Sequence, residues 1–332
     1  MQTQNHQAAQ IGAAKFFAEP FITNSYELPL ARLKAVGLPV EQMQKRCEEA
    51  YTSWSSRRLR SVLNAIGDQV VADHQASINE KKDTCDLTLI VFPEYSILQS
   101  QLPLVQEFTI RLRQSRFLDD HALVVVAGSH TVKTESSDNL DFYRSLGASK
   151  EEIEGVSAVQ LQTKSVSVIF SFDENTATSQ SENQGVTTKL LTKRVLSPFE
   201  LTNTQDHVDQ KLEDRSSILQ VSTHGRDVRL NLLICAEAIQ MRVEVDSSQF
   251  NIAIVIAYSR KEPFESILTQ LKNNRRLTIF VNDGIYGGSG VFIPQGRRGE
   301  SWWFDSPHEG QLPTGDGVLV AEFSLFNLAE VF

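Results

Sequence analysis

The chain is poor in cysteine and has no excess of positive charge. Among its 332 residues there are only three cysteines, Cys47, Cys85 and Cys235, which supply neither an even disulfide set nor a Cys-x-x-Cys pair for zinc. Free thiols are typical of a reducing compartment, so we expect a cytoplasmic protein. The formal net charge of −9 disfavours nucleic acid as a general partner, because phosphate binding needs a basic surface.

Several other features are absent from the sequence. No apolar run approaches the ~18 residues that span a bilayer, and residues 1–14 lack the basic start and apolar centre of a secretory signal. The seven histidines show no metal-binding spacing, so we predict no metal site. His130, which follows Gly128 and Ser129 at a predicted strand end, is expected to be a solvated loop histidine. The glycine-rich stretch 284–290 precedes a predicted strand and lacks a following Lys-Ser/Thr pair, which argues against a phosphate loop. No cofactor is therefore predicted.

The patterns that are present indicate one α/β domain. Continuous apolar runs at 87–92, 123–127, 230–234 and 252–257 are typical of strands buried on both faces. Apolar residues spaced by three and four predict helices within 28–80, 98–117 and 262–276. We expect residues 1–27 to be a flexible N-terminal segment and 28–332 a single domain with a helical opening. Residues 131–157 resemble an insertion with some helix, and 173–185 a loop. The alternation across 156–172 predicts a strand or hairpin, and the segments 218–223 and 228–235, on either side of a turn glycine at 225, predict a hairpin.

Three chemically active side chains follow predicted strands. Glu94 comes after one apolar run, Lys193 after 189–192, and Cys235 after 230–234. Taken singly, each residue has a more ordinary explanation, because strand ends often carry exposed acids or lysines and a buried cysteine is usually structural. Taken together, the three side chains supply what is needed to cleave a C–N bond: a thiol nucleophile, a carboxylate base and a cation that stabilises developing negative charge.

The local sequences around these residues resemble the nitrilase (carbon–nitrogen hydrolase) superfamily. Residues 92–95 (FPEY) match its first motif, and 193–200 (KRVLSPFE) are similar to the stretch after its catalytic lysine, especially in the apolipoprotein N-acyltransferase branch. Cys235 then occupies the position of the family nucleophile. Two departures are Val195, where histidine is common, and Ala236, where an aromatic residue is frequent.

The resemblance implies a fold, a site and an assembly. It implies a four-layer α-β-β-α sandwich with two face-to-face sheets, which commonly pairs into a homodimer or larger homo-oligomer. It assigns Glu94, Lys193 and Cys235 to catalysis, with Glu200 as a second glutamate that positions substrate and lysine. Glu237 is expected to support the turn after the cysteine as well as to lie near substrate. The candidate substrate-binding residues are Tyr95, Glu237, Tyr258, Ser259 and Asn282.

The sequence therefore supports a cysteine hydrolase that cleaves a non-peptide C–N bond through a thioester, an amide in preference to a nitrile. One alternative is acyl transfer to an amine instead of water. Another is a nitrilase-like binding or regulatory module partnered with another protein, as in some bacterial defence systems. Preferential alkylation of Cys235 over Cys47 and Cys85 would favour an enzyme, because thiol reactivity follows thiolate character and exposure.

Overall fold

A computed structural model describes residues 8–15, 40–79, 85–115, 122–133, 137–158, 163–172, 186–195, 218–223, 226–240, 251–258, 277–282, 289–292, 302–304 and 317–324. Most of these residues belong to two six-stranded mixed sheets. In both sheets, neighbouring parallel pairs are flanked by antiparallel ones.

The first sheet has the strand order β12-β1-β2-β3-β4-β5. Its strands are β1 (Ala8–Lys15), β2 (Cys85–Val91), β3 (Ala122–Lys133), β4 (Thr163–Phe172), β5 (Thr187–Thr192) and β12 (Gly317–Ser324). The second sheet has the order β11-β10-β9-β8-β7-β6. Its strands are β6 (Ile218–Thr223), β7 (Arg226–Ile234), β8 (Ile252–Ala257), β9 (Leu277–Asn282), β10 (Ser289–Phe292) and β11 (Trp302–Phe304).

Helices cover the outer face of the first sheet. They are α1 (Val40–Asn79), α2 (Leu102–Arg113), α3 (Ser137–Ser145) and α4 (Lys150–Ala158), and a 3-10 turn at Gln99–Gln101 leads into α2. A short helix, α5 (Ala236–Gln240), follows β7. The stripe of α1 that faces the sheet consists of Leu59, Val62, Leu63, Ile66 and Val70, at the three- and four-residue spacing that predicted this helix.

Two apolar cores define the layers. One lies between the sheets, where Leu89 and Val124 pack in the same cluster as Leu232 and Ile254. The other lies between the first sheet and helices α1–α4. Alternate residues of β2, β3 and β4 point into different cores, which is why the segments 89–91 and 122–127 are apolar on both faces. The two face-to-face sheets confirm the predicted α/β class, whereas the predicted outer helix 262–276 lies outside the described ranges.

The structure differs from the sequence-based expectation in two places. Ala8–Lys15 was expected within a flexible segment, yet it forms β1 between β2 and β12. Its sequence, AAQIGAAK, has little alternation, so the signal that identifies a half-buried strand is weak there. The predicted strand or hairpin across 156–172 begins only at Thr163, because α4 continues to Ala158.

Candidate active site

Glu94 lies just past the end of β2 and points between the two sheets. The ladder to β3 continues beyond the strand, with Phe92 N–H donating to Val126 O at 2.9 Å and Tyr95 N–H to Ser129 O at 2.8 Å. Pro93 cannot donate to a ladder, so the regular strand ends there. Tyr95 has a φ of 58°, a conformation uncommon outside glycine, which turns the chain directly after the acid. Glu94 is 1% exposed.

Lys193 approaches the same carboxylate from the far edge of the first sheet. Its backbone N–H donates to Ser165 O at 2.8 Å, which extends the β4–β5 ladder past Thr192. Its Nζ donates to Glu94 Oε1 at 2.8 Å, and both side chains are 1% exposed. A buried ion pair is costly unless its remaining polar atoms are also satisfied. The second oxygen, Glu94 Oε2, accepts from the backbone N–H of Tyr258 at 3.2 Å, at the end of β8.

Cys235 lies where β7 gives way to α5, as the sequence predicted. Its N–H donates to Ile256 O at 2.8 Å, and its carbonyl accepts from Ala238 N–H at 3.0 Å. These bonds hold the residue at a φ of 49°, in the left-handed region. Strained backbone in a non-glycine residue clusters at functional sites, where the surrounding structure enforces it. The thiol thus sits at a fixed point opposite Glu94.

The environment keeps the resting thiol protonated. Burial is the largest cause that raises the pKa of Cys235, and the negative charge of Glu94 raises it further, while the Lys193 ammonium lowers it. Hydrogen bonding with Glu94 also raises the pKa of the thiol, and hydrogen bonding with the backbone of Tyr258 lowers it. A neutral thiol that donates to a carboxylate is suited to lose its proton during attack rather than beforehand.

Glu237 braces the ends of β7 and β5 against each other. Its Oε2 accepts from Ile234 N–H at 2.9 Å, while Oε1 accepts from Arg194 N–H at 2.5 Å and from Arg194 Nε at 3.2 Å. The residue is buried, and protein donors engage both of its oxygens. These contacts favour the interpretation of Glu237 as support for the turn over direct substrate binding. The brace fixes Arg194, which directly follows Lys193.

The other predicted site residues divide into three groups. Tyr95 and Tyr258 are half-buried, and their rings meet edge to face with centroids 6.0 Å apart, so they lie together beside Glu94. Asn282 is buried at the end of β9, where its N–H donates to Ser289 Oγ at 3.0 Å and its carbonyl accepts from that hydroxyl at 3.1 Å. Glu200 and Ser259 lie outside the described residues.

Three features near the site were missed or misjudged from sequence. His130, expected to be a solvated loop histidine, is buried on β3 and lies 2.6 Å from the Tyr143 hydroxyl through Nε2. Gly128 has a φ of 61°, and a Cβ there would lie 2.2 Å from Pro93 O. Ser129 and Ser165 are buried beside the Glu94–Lys193 pair. The stretch 128–130 follows a predicted strand, but no local sequence pattern indicates the bulge that it contains.

In the part of the chain that the structure describes, no group of three or more His, Cys, Asp or Glu side chains is arranged to hold a metal ion. Across the same ranges, no helix combines the length and apolar character needed to cross a membrane.

Comparisons with known proteins give structural matches only. A scan against protein-family models finds no match, and a search of curated proteins finds none either. Among solved structures, the chain is similar to an amidase of the nitrilase superfamily from Nesterenkonia AN1, at 14% identity and a TM-score of 0.46, over 99% of this chain and 96% of that one. It is also similar to Nit3 of Saccharomyces cerevisiae, a member of branch 10 of that superfamily, at 12% identity and a TM-score of 0.48, over 100% and 96%.

A third match is the glutamine-dependent NAD+ synthetase of Acinetobacter baumannii, at 11% identity and a TM-score of 0.45, over 97% of this chain and 47% of that one. All three of these matches have TM-scores below 0.5. At these identities they assign no role to a single residue, so the roles proposed below rest on the contacts just described.

Proposed function

We propose that the protein is a cysteine hydrolase that cleaves a small amide through a thioester acyl-enzyme. The observation that carries the proposal is the position of the Glu94 carboxylate. It accepts a hydrogen bond from the Lys193 ammonium at 2.8 Å, and it lies close enough to the Cys235 thiol to raise the pKa of that thiol. A base, a nucleophile and a cation are thus in contact within one buried site.

Acylation uses each of the three groups once. The Cys235 sulfur attacks the amide carbon as Glu94 takes the thiol proton, and the carbonyl electron pair moves onto oxygen. The Lys193 ammonium stabilises that oxyanion. When the tetrahedral intermediate collapses, the C–N bond breaks and protonated Glu94 returns its proton to the departing amine.

Deacylation repeats the sequence with water. A water molecule attacks the thioester carbon, Glu94 accepts its proton, and the carboxylic acid leaves as the Cys235 thiol is restored. Because the site holds the thiol as a neutral donor to Glu94, one carboxylate can serve as base in both half-reactions. A reducing cytoplasm, which keeps Cys235 reduced, suits this chemistry. The tyrosine pair Tyr95–Tyr258 is proposed to form one wall of the substrate pocket.

The test is to trap the acyl-enzyme. The protein is incubated with cell extract, quenched in acid and digested, and the Cys235 peptide is examined by mass spectrometry. We expect an added acyl mass on Cys235 that is absent from Cys235→Ala and from a sample treated with hydroxylamine, which cleaves thioesters. The identity of that acyl group names the substrate class. The mass is expected to persist in Cys47→Ala, the matched control.

Three results would contradict the proposal. Hydrolysis of the identified amide by Cys235→Ala at the wild-type rate would remove the nucleophile assignment, since alanine has no group that can form a thioester. Specific retention of a non-covalent ligand, with no adduct on Cys235 in any extract, would favour a binding module. Transfer of the trapped acyl group to an added amine faster than to water would make the protein an acyltransferase.

A further inference from the structure

The Glu94–Lys193 ion pair crosses two strands of the first sheet. Glu94 follows β2 and Lys193 follows β5, with β3 and β4 between them. Neighbouring strands lie ~4.8 Å apart, so three steps separate the two backbones by roughly 14 Å. The 2.8 Å contact between Nζ and Oε1 therefore requires both side chains to extend over the inner faces of β3 and β4.

The strand register shows which residues lie under that path. Ser129 is bridged to Glu94 on one side and paired with Ser167 on the other. Lys193 is bonded through its backbone to Ser165, which lies two residues from Ser167 on the same face of β4. A line from Lys193 to Glu94 therefore crosses β4 near Ser165 and β3 near Ser129.

A bulge in β3 turns Ser129 toward this path. The β3–β4 register shifts between Val126 and Ser129. Val126 points into the core between the sheets, and without the bulge a residue three positions later would point to the opposite face. The shift, with Gly128 at a φ of 61°, places Ser129 beside Ser165, whose Oγ donates to Ser129 Oγ at 3.2 Å.

The side chains on the inner face of the first sheet change from apolar to polar where the ion pair crosses. Along β4 the inward-facing Ile169 is followed by Ser167 and Ser165, and along β3 Val126 gives way to Ser129. A charged pair that is 1% exposed needs polar neighbours to offset its lost hydration, and it needs space for two extended stems. Serine supplies both a hydroxyl dipole and a small volume.

We propose that Ser129 and Ser165 are positioning residues. Their hydroxyl groups lie on the inner face of the first sheet beneath the Glu94–Lys193 pair and hold the Lys193 ammonium in place for catalysis. The inference rests on the proposed function of the same site, and it adds two residues that act through Lys193. Ser167 is buried on the same face but lies off the line, and its Oγ has no hydrogen-bond partner among the described residues. It therefore offers a matched control on the same strand.

The experiment measures the rate at which iodoacetamide alkylates Cys235, followed by mass spectrometry in the full-length protein, because this readout needs no knowledge of the substrate. Ser165→Ala and Ser129→Ala are expected to slow alkylation by about threefold to tenfold, the effect of about one buried hydrogen bond. Ser167→Ala is expected to match wild type. Ser165→Val is expected to be slower than Ser165→Ala, because its larger side chain occupies the space of the lysine stem.

A double-mutant cycle separates positioning from general damage. Lys193→Met removes the ammonium but keeps a stem of similar length, and we expect Ser165→Ala to have no further effect in that background. Equal slowing of Cys235 alkylation by Ser165→Ala in the wild-type and Lys193→Met backgrounds would overturn the proposal. Equal alkylation rates for Ser165→Ala and Ser167→Ala would overturn it too, as would a wild-type rate for Ser165→Val. If Lys193→Met and Glu94→Gln themselves alkylate like wild type, the proposed function fails, and this inference fails with it.

Discussion

At the scale of single residues, Glu94 organises the site. Its carboxylate accepts from a side chain at the edge of the first sheet and from a backbone N–H at the end of a strand of the second sheet, and it raises the pKa of the Cys235 thiol. The motif FPEY predicted an acid at a strand end, and that prediction needed only local sequence. The contacts with Lys193 and Tyr258 join residues 99 and 164 positions away, so no local pattern could contain them.

Lys189 of β5 and Lys193, which directly follows that strand, provide a test of the oxyanion role. Lys193 donates to Glu94, whereas Lys189 donates through Nζ to Ile218 O at 3.0 Å, which links the two sheets away from the site. We expect Lys193→Ala to slow acylation by about 10²–10³-fold, the usual cost of one oxyanion donor. Lys189→Ala is expected to keep the rate within about twofold and to lower the free energy of unfolding by ~1 kcal/mol.

The measurement is the burst of nitrophenolate when p-nitrophenyl acetate acylates Cys235, with thermal unfolding recorded for each variant. The reverse ranking of the two lysines in the burst rate would show that the catalytic position lies four residues earlier in the chain.

At the scale of elements, the sequence predicted strands and helices better than it predicted their irregularities. The apolar runs that form β2, β7 and β8 were identified because they are buried on both faces. The hairpin of β6 and β7 was also predicted and is confirmed by its antiparallel register. The bulge in β3 was not, because it arises from the close approach of Gly128 to Pro93, a contact between different strands.

The bulge supports a prediction about Gly128→Ala. The φ of 61° disfavours any side chain, and an added Cβ would lie 2.2 Å from Pro93 O, which is backbone and cannot rotate away. We expect a loss of at least ~2 kcal/mol in the free energy of unfolding, together with slower alkylation of Cys235, because a displaced Pro93 would move Glu94, the next residue in the chain. Denaturant unfolding and the iodoacetamide rate measure the two effects.

Gly67→Ala is the control for this substitution. Gly67 lies inside α1, where an added Cβ would meet Phe108 Cε2 at 3.4 Å, so alanine is expected to be neutral or to stabilise by up to ~1 kcal/mol through its higher helix propensity. A Gly128→Ala protein as stable and as reactive as Gly67→Ala would mean that the bulge does not set the position of Glu94.

At the scale of the whole molecule, the site depends on both cores. The core between the sheets brings Glu94 and Cys235 together, and the core under the helices carries the buried pair His130–Tyr143, which joins β3 to α3. The segment 131–157 was predicted as an insertion with some helix, and α3 and α4 confirm its helical content. Its packing against the sheet was not predicted, because it depends on tertiary contacts. Pairing into a homo-oligomer stays a prediction.

His130 should make the stability of the fold depend on pH. Burial lowers the pKa of His130 from its ordinary 6.5 to about 3. Between these values the unfolded chain binds a proton that the folded protein excludes, so the free energy of unfolding falls as the pH falls, by up to ~1.4 kcal/mol per pH unit for this one group. Above pH 6.5 the histidine is neutral in both states and contributes no slope.

Melting temperatures of wild type and His130→Gln, recorded from pH 4 to 8, measure the effect. We expect the melting temperature of wild type to fall more steeply toward acid pH than that of His130→Gln, and the two profiles to run parallel above pH 7. Equal slopes throughout would show that His130 is protonated as readily in the folded protein as in the unfolded chain.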